Sequence, residues 1–345
     1  MSAPIHIGGV GTAVTDNPLP QAEAAAFASR FFGDIPPRVR ATFDNAGIEQ
    51  RQLARPISWY ESPRSFPEKN AVYQEVVLSL SERAAQAALA KAQLAPGAIA
   101  AVVFVSSTGV ATPSLDARLS QQLDLPAHVM RVPLWGLGCA GGGAGLARAA
   151  ALVRGLDAPV LLVCAEACSV TFVHGDHRKA AVVATALFGD GAAAAVLLPG
   201  EGPGPRVLDG LSHLIPHSEA VMGWDLCDEG LAVRFSPEIP AITHQLAPVI
   251  VQQAMERQGL SAPPARLTLH PGGPKVIAAY EQALALPSGT LADERAVLRD
   301  HGNMSSPTVL FVLERALANP PASGDYGLVL GLGPGFCAEG VVVRW

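Results

Sequence analysis

Short unbroken apolar runs alternate with alanine-rich stretches along this chain. Ile99–Val105, Ala193–Leu198 and Gly340–Val343, with Leu267-Thr-Leu269, have the length and composition of strands buried in a parallel or mixed sheet. The stretches Val76–Gln93 and Leu146–Arg154 carry few charges on any face, which predicts helices buried on both sides, as in a multilayered sandwich. Pro18–Phe32 and His244–Gln258 predict ordinary amphipathic helices, and Thr308–Leu317 a further helix. The segment His128–Trp135 is polar and broken by Pro133, which argues against a buried strand. Residues 180–198 form the longest apolar stretch, but Gly189-Asp190-Gly191 interrupts it, so it reads as core and not as a membrane span.

The same order of landmarks occurs twice. Pro199-Gly-Glu-Gly-Pro-Gly-Pro-Arg206 can continue neither a helix nor an interior strand, and it divides the chain into residues 1–200 and 201–345. Before it, an apolar run ends in Ser106-Ser-Thr-Gly109, Gly138-Cys139 precedes a helix, and Leu187-Phe-Gly-Asp-Gly191 feeds a final run. After it, Leu267–Leu269 ends in His270-Pro-Gly-Gly273, Gly302-Asn303-Met-Ser-Ser306 precedes a helix, and Gly331-Leu-Gly-Pro-Gly-Phe336 feeds the last run. Such repetition predicts an α/β fold of two pseudo-symmetric halves whose strand-end loops meet at the centre.

Composition narrows the classes. The 345 residues are 49% hydrophobic and 16% charged, with a net charge of -6, so the chain is a well-packed globular protein and not a nucleic-acid binder. Its five cysteines include no C-x-x-C pair, which fits a reducing cytoplasm better than a disulfide framework or a zinc ribbon. The first residues lack the pattern of a secretory signal. His174-Gly-Asp-His177 stands without further ligands in sequence, so no metal is expected.

Cys139 is the central candidate for chemistry. A thiol at a glycine-packed helix start faces unpaired backbone N–H groups and the positive end of the helix dipole, both of which favour thiolate. By itself the position suits a buried inert cysteine equally well. A nucleophile also needs a proton acceptor and donors for a developing oxyanion. His270 and Asn303 occupy the matching loops, although singly they read as a turn histidine and a helix cap.

Taken together, Gly138-Cys-Ala-Gly-Gly142, His270-Pro-Gly-Gly-Pro274, Gly302-Asn-Met-Ser-Ser306 and Gly331-Leu-Gly-Pro-Gly-Phe336 resemble the signatures of type III polyketide synthases, the chalcone synthase-like branch of the thiolase superfamily. The resemblance spans essentially the whole chain. It implies a thiolase-like five-layered αβαβα sandwich, a homodimer, and iterative condensation of malonyl-CoA onto an acyl-CoA starter without a cofactor. Cys139 would carry the acyl thioester, while His270 and Asn303 would hold its carbonyl and the enolate left by decarboxylation. Phe188 matches a gatekeeping phenylalanine, and Val233 stands at the second gatekeeper position. Glu166, Cys168, Thr171, Ser107, Thr108 and Ser305 match cavity-lining positions, and Thr112 stands where plant enzymes place a methionine reaching across the dimer. Arg51, Arg55 and Lys275 are candidate partners of CoA phosphates near the entrance.

Pro133–Cys139 and Glu166–Phe172 are more similar to bacterial enzymes that make alkylpyrones or alkylresorcinols from fatty acyl starters than to plant chalcone synthases. Thr171 stands where bacterial tetrahydroxynaphthalene synthases are expected to carry cysteine, which disfavours a naphthalene product. Two alternatives differ in kind. A ketoacyl synthase III-like enzyme on the same fold would use acyl carrier protein and stop after one extension. A dinucleotide-binding oxidoreductase is suggested by Gly136-Leu-Gly-Cys-Ala-Gly141, which fits G-x-G-x-x-G, but it lacks the preceding buried strand and the later acidic residue.

Overall fold

The computed structural model describes residues 3–32 and 37–345. Its first half contains β1 (Ile5–Ala13), β2 (Pro18–Pro20), α1 (Gln21–Phe31), α2 (Pro37–Asp44), β3 (Gln50–Gln52), α3 (Phe66–Lys91) and β4 (Ala101–Val105). It continues through α4 (Leu115–Gln122), β5 (Met130–Leu134), α5 (Gly141–Leu156), β6 (Val160–Ala167), α6 (Lys179–Leu187) and β7 (Asp190–Pro199). The second half holds β8 (Arg206–Leu214), β9 (Met222–Cys227), β10 (Gly230–Phe235), α7 (Ile239–Gln258) and β11 (Arg266–Leu269). It ends with α8 (Pro274–Ala283), α9 (Ala292–His301), α10 (Thr308–Ala318), β12 (Tyr326–Gly333) and β13 (Cys337–Arg344).

Strand pairing displays the duplication. The hydrogen-bonded order is β11-β12-β13-β8-β1-β7-β6-β4-β5. In the first half β4 runs parallel to β6, β6 antiparallel to β7, and β7 antiparallel to β1. In the second, β11, β12, β13 and β8 repeat that parallel, antiparallel, antiparallel sequence. The two copies join through β1 and β8 at the pair His6 and Arg206. A fifth strand, β5, extends the first copy at its edge, parallel to β4.

Alternation along the strands builds the layers, because successive side chains point to opposite faces. Val103, Val105 and Leu162 pack inward with Leu146 and Val153 of α5, Val309 and Val312 of α10, and Val341 of β13. Their neighbours Val102, Phe104, Leu161 and Val163 pack outward under α3. Leu267, Leu330 and Val342 face Ile250 of α7 and Ile277 of α8. Helices therefore lie outside each half-sheet, with α5 and α10 between them. This is the thiolase-like sandwich. Each buried valine or leucine contributes roughly 1.5–3 kcal/mol by leaving water, before entropy is counted.

Local chemistry sets the ends of α3. Ser65 accepts from the Glu68 backbone N–H while the Glu68 carboxylate accepts from the Ser65 backbone N–H, a reciprocal cap that starts the helix. One expectation is corrected here. The stretch from Val76 is not buried on both sides: Ser79, Arg83 and Gln86 lie on an exposed face because α3 covers the sheet from outside. The polar segment around Pro133 is, as its composition implies, not a buried strand: it forms the edge strand β5, with Met130, Arg131 and Pro133 exposed. An edge position accommodates a proline because one side of the strand needs no partner.

Candidate active site

Cys139 sits in a single 3-10 turn, Gly138–Ala140, leading directly into α5. The end of β12 and the turn that follows it, Gly331–Phe336, press on this turn from the second half. A Cβ at Gly331 would stand 2.6 Å from the Cys139 carbonyl oxygen, so only glycine permits that approach. Asn303 arrives on the loop before α10, held by two backbone bonds: its N–H donates to Leu187 O at 2.8 Å, and its carbonyl accepts from Gly189 N–H at 3.0 Å. His270 follows β11, with its N–H donating to Leu330 O at 2.8 Å.

Side-chain contacts converge. Cys139 Sγ donates to Asn303 Oδ1 at 3.8 Å, and that oxygen also accepts from the Ser305 N–H at 2.8 Å. Asn303 Nδ2 donates one hydrogen to Gly272 O at 3.1 Å, leaving a second for another acceptor. Both ring nitrogens of His270 are buried without a partner among the described residues. Cys139, His270 and Asn303 line one cavity of about 740 Å³, together with Leu187, Leu332, Phe235 and Phe336. Lys275, at the first turn of α8 and exposed, stands on the same wall.

Burial governs the protonation of both groups. Loss of solvent pushes the Cys139 thiol up to about 11, against the smaller opposing pull of its hydrogen bonding with Ser305 and Asn303. The same cause pushes His270 down to about 3. The helix dipole expected to favour thiolate at Cys139 is therefore outweighed by desolvation in the free protein.

Other residues singled out in the sequence divide into separate groups. Phe188, Cys168, Thr171 and Val233 line a smaller chamber of about 60 Å³. The Phe188 ring lies 5.6 Å from that of Phe235, which borders the larger cavity, and so stands between the two spaces. Glu166, Ser107 and Thr108 line neither cavity: the fully buried Glu166 carboxylate accepts from the Ser107 N–H at 2.9 Å and from Thr108 Oγ1 at 2.8 Å. Burial pushes Glu166 up to about 7. Ser305 is buried beside Cys139 with a left-handed φ of 63°.

The three cations separate most clearly. Lys275 reaches the mouth of the large cavity, whereas Arg55 pairs with Glu75 at 2.5 Å. Arg51 is not near the entrance. It is 1% exposed, borders the small chamber, and donates through Nη1 to Thr185 O at 2.7 Å. It meets a carbonyl in the last turn of α6 from inside, at the end of the helix that favours a cation. Phe336, Leu332 and Ser306 were not singled out individually, although the motifs that contain them were.

Comparison with known proteins decides the family. The description "Chalcone and stilbene synthases" matches residues 55–203 as its N-terminal domain and residues 207–345 as its C-terminal domain. The chain belongs to this family, the type III polyketide synthases. A 1,3,6,8-tetrahydroxynaphthalene synthase of Streptomyces peucetius subsp. caesius is 40% identical over 315 residues, covering 89% of this chain and 83% of that one. A 3,5-dihydroxyphenylacetyl-CoA synthase of Streptomyces toyocaensis is 33% identical over 359 residues, covering 99% and 90%. The solved 1,3,6,8-tetrahydroxynaphthalene synthase of Streptomyces coelicolor A3(2) superposes with a TM-score of 0.94 at 29% identity over 99% of each chain. No helix among the described residues is long and apolar enough to cross a membrane.

Proposed function

We propose that this polyketide synthase extends an apolar fatty acyl-CoA starter with malonyl-CoA on Cys139 and releases an alkylpyrone or alkylresorcinol. The supporting observation is the meeting of Cys139, His270 and Asn303, drawn from both halves, on one largely apolar cavity. Burial penalises either charge alone, but a proton passed from Cys139 Sγ to His270 creates opposite charges together, whose attraction offsets that penalty. The thiolate attacks the starter thioester and CoA leaves as its thiol. Malonyl-CoA then loses CO2, and the electron pair left behind is held as an enolate whose oxygen takes hydrogen bonds from His270 and the free N–H of Asn303. Its carbon attacks the Cys139 thioester, forming the carbon–carbon bond and expelling Cys139. Repetition lengthens the chain on CoA. Attack of an enol oxygen on the thioester carbonyl closes a pyrone and expels the thiol, whereas aldol attack of a chain carbon on a ketone carbonyl, with loss of water, hydrolysis of the thioester and loss of CO2, closes a resorcinol ring.

Lys275 meets the CoA phosphates in this reading, and Phe188 separates the reacting thioester from the inner chamber. The active unit is a homodimer in a reducing cytoplasm, a setting that suits five cysteines with no C-x-x-C pair. A second reading, an aromatic polyol made as by the tetrahydroxynaphthalene synthases, is favoured by the similarity to those relatives. Incubation with malonyl-CoA alone and with acyl-CoAs of increasing chain length, followed by product masses, separates the readings. Pyrones or resorcinols carrying the starter's alkyl chain support the first. Products from malonyl-CoA alone, with no incorporation of longer starters, support the second. A single extension delivered only by acyl carrier protein would sink both.

A further inference from the structure

Glu166 is a fully buried acid near the end of β6 whose oxygens face both halves of the site without lining either cavity. Oε1 accepts from Ser306 Oγ at 2.8 Å, next in sequence to the Ser305 that touches Cys139. Oε2 accepts from the Ser107 N–H, from Thr108 Oγ1 and, at 3.4 Å, from Ser106 Oγ. Ser107 Oγ in turn accepts from the backbone N–H groups of Gly136 and Gly138 at 3.2 and 3.4 Å, in the segment that ends at Cys139. Ser306 belongs to the loop in which the Ser305 N–H fixes Asn303 Oδ1. One carboxyl group thus stands between the turn that carries the nucleophile and the loop that carries its amide partner.

We propose that Glu166 is a positioning residue that ties these two loops together across the halves, fixing Cys139 against Asn303. It acts through Ser107 on one side and through Ser306 on the other, and touches no substrate. A buried acid surrounded by hydroxyl and amide donors suits this role, because each donor is held in a single direction and both carboxyl oxygens are engaged. The proposal rests on the reading of Cys139 and Asn303 as reacting groups, and its two arms are separable.

Ser306→Ala cuts only the arm to Asn303, and Ser107→Ala weakens only the arm to Cys139. The expected outcome for Ser306→Ala is malonyl-CoA decarboxylation slowed about tenfold in kcat with KM nearly constant, while alkylation of Cys139 by iodoacetamide changes little. For Ser107→Ala the order reverses: alkylation changes by about tenfold and decarboxylation less. Glu166→Gln should restore most of what Glu166→Ala removes, since a serine hydroxyl can turn from donor to acceptor. Thermal melting of each variant shows whether the fold is kept. If folded Ser306→Ala and Ser107→Ala variants both match the wild type, or lose both readouts together, the link is refuted. A folded Glu166→Gln as impaired as Glu166→Ala would refute positioning in favour of charge. Alkylation needs no polyketide chemistry, so a wrong reaction assignment would leave that arm of the test intact.

Discussion

The central helices α5 and α10 hold matching places in the duplicated sandwich, yet they are made from opposite materials. α10 fills its surroundings with Val309, Leu310, Phe311, Val312 and Leu313, all buried. α5 begins with Gly141, Gly142 and Gly143, also buried, and brings backbone against backbone. A Cβ at Gly142 would stand 2.5 Å from the Ser306 carbonyl oxygen, and one at Gly143 would stand 2.1 Å from that of Glu339. Duplication supplies the frame, and the removal of side chains from one copy lets the nucleophile's turn approach the loops of the other. The halves also divide the chemistry: the first gives the sulfur, the second the imidazole and the amide.

That division is broken most completely at Cys139. Cys139→Ala should abolish acyl-enzyme formation and condensation, measured by intact mass and product yield, while malonyl-CoA decarboxylation persists on His270 and Asn303. Condensation by a folded alanine variant would mean that the first half does not supply the nucleophile.

His270→Gln and Asn303→Ala test the second half. Each removes an oxyanion donor and should slow decarboxylation roughly 100- to 1000-fold, about 3–4 kcal/mol in the barrier. A pH profile distinguishes them. With His270 absent, the Cys139 proton has nowhere to go but solvent, and burial holds the thiol up to about 11. Thiolate then appears only as pH climbs toward that value, so the iodoacetamide rate of His270→Gln should rise about tenfold per pH unit from neutral pH upward. The wild type should already react near neutrality, because its proton moves to the imidazole. Coincident profiles would show that His270 does not take the proton.

Gly143→Ala sharpens the contrast between the helices. The added methyl group meets backbone that cannot turn aside, so the cost should be about 3 kcal/mol or more, read as a lowered melting temperature. Ala316→Gly on α10, where a side chain fills space, should instead cost about 1 kcal/mol through helix propensity and a small cavity. Equal effects at the two sites would remove the distinction.

Much of this asymmetry was legible in the residues. The repeated landmarks gave the order of strands and loops, and the glycine-rich turns singled out Cys139, His270 and Asn303 because loops that meet across the two halves need unusual backbone approach. The position of Arg51 was not legible. Between Gln50 and Gln52 it reads as a surface cation, yet pairing of β3 with β2 and the overlying α6 bury it. Glu166 offered a better signal: an acid in Val160-Leu-Leu-Val-Cys-Ala-Glu-Ala167 interrupts a strand that is buried throughout. A charge there has to meet donors, but only tertiary structure shows that Ser306 from the other half is among them.

The smallest expected effect concerns the cations, where the halves differ again. Lys275 begins the second half's α8 at the mouth of the large cavity, free to meet a phosphate, whereas Arg55 is already engaged by Glu75 and Arg51 lies inside. Lys275→Ala should raise KM for malonyl-CoA about fivefold with kcat kept, the size expected for an exposed ion pair, and the difference should shrink as salt is added. Arg55→Ala should leave KM unchanged, because its guanidinium is held by a carboxylate. Arg51→Met should do the same for a different reason: a phosphate in water never reaches it. A rise in KM for either arginine variant, larger than for Lys275→Ala, would place CoA against the first half and reverse the assignment of the entrance.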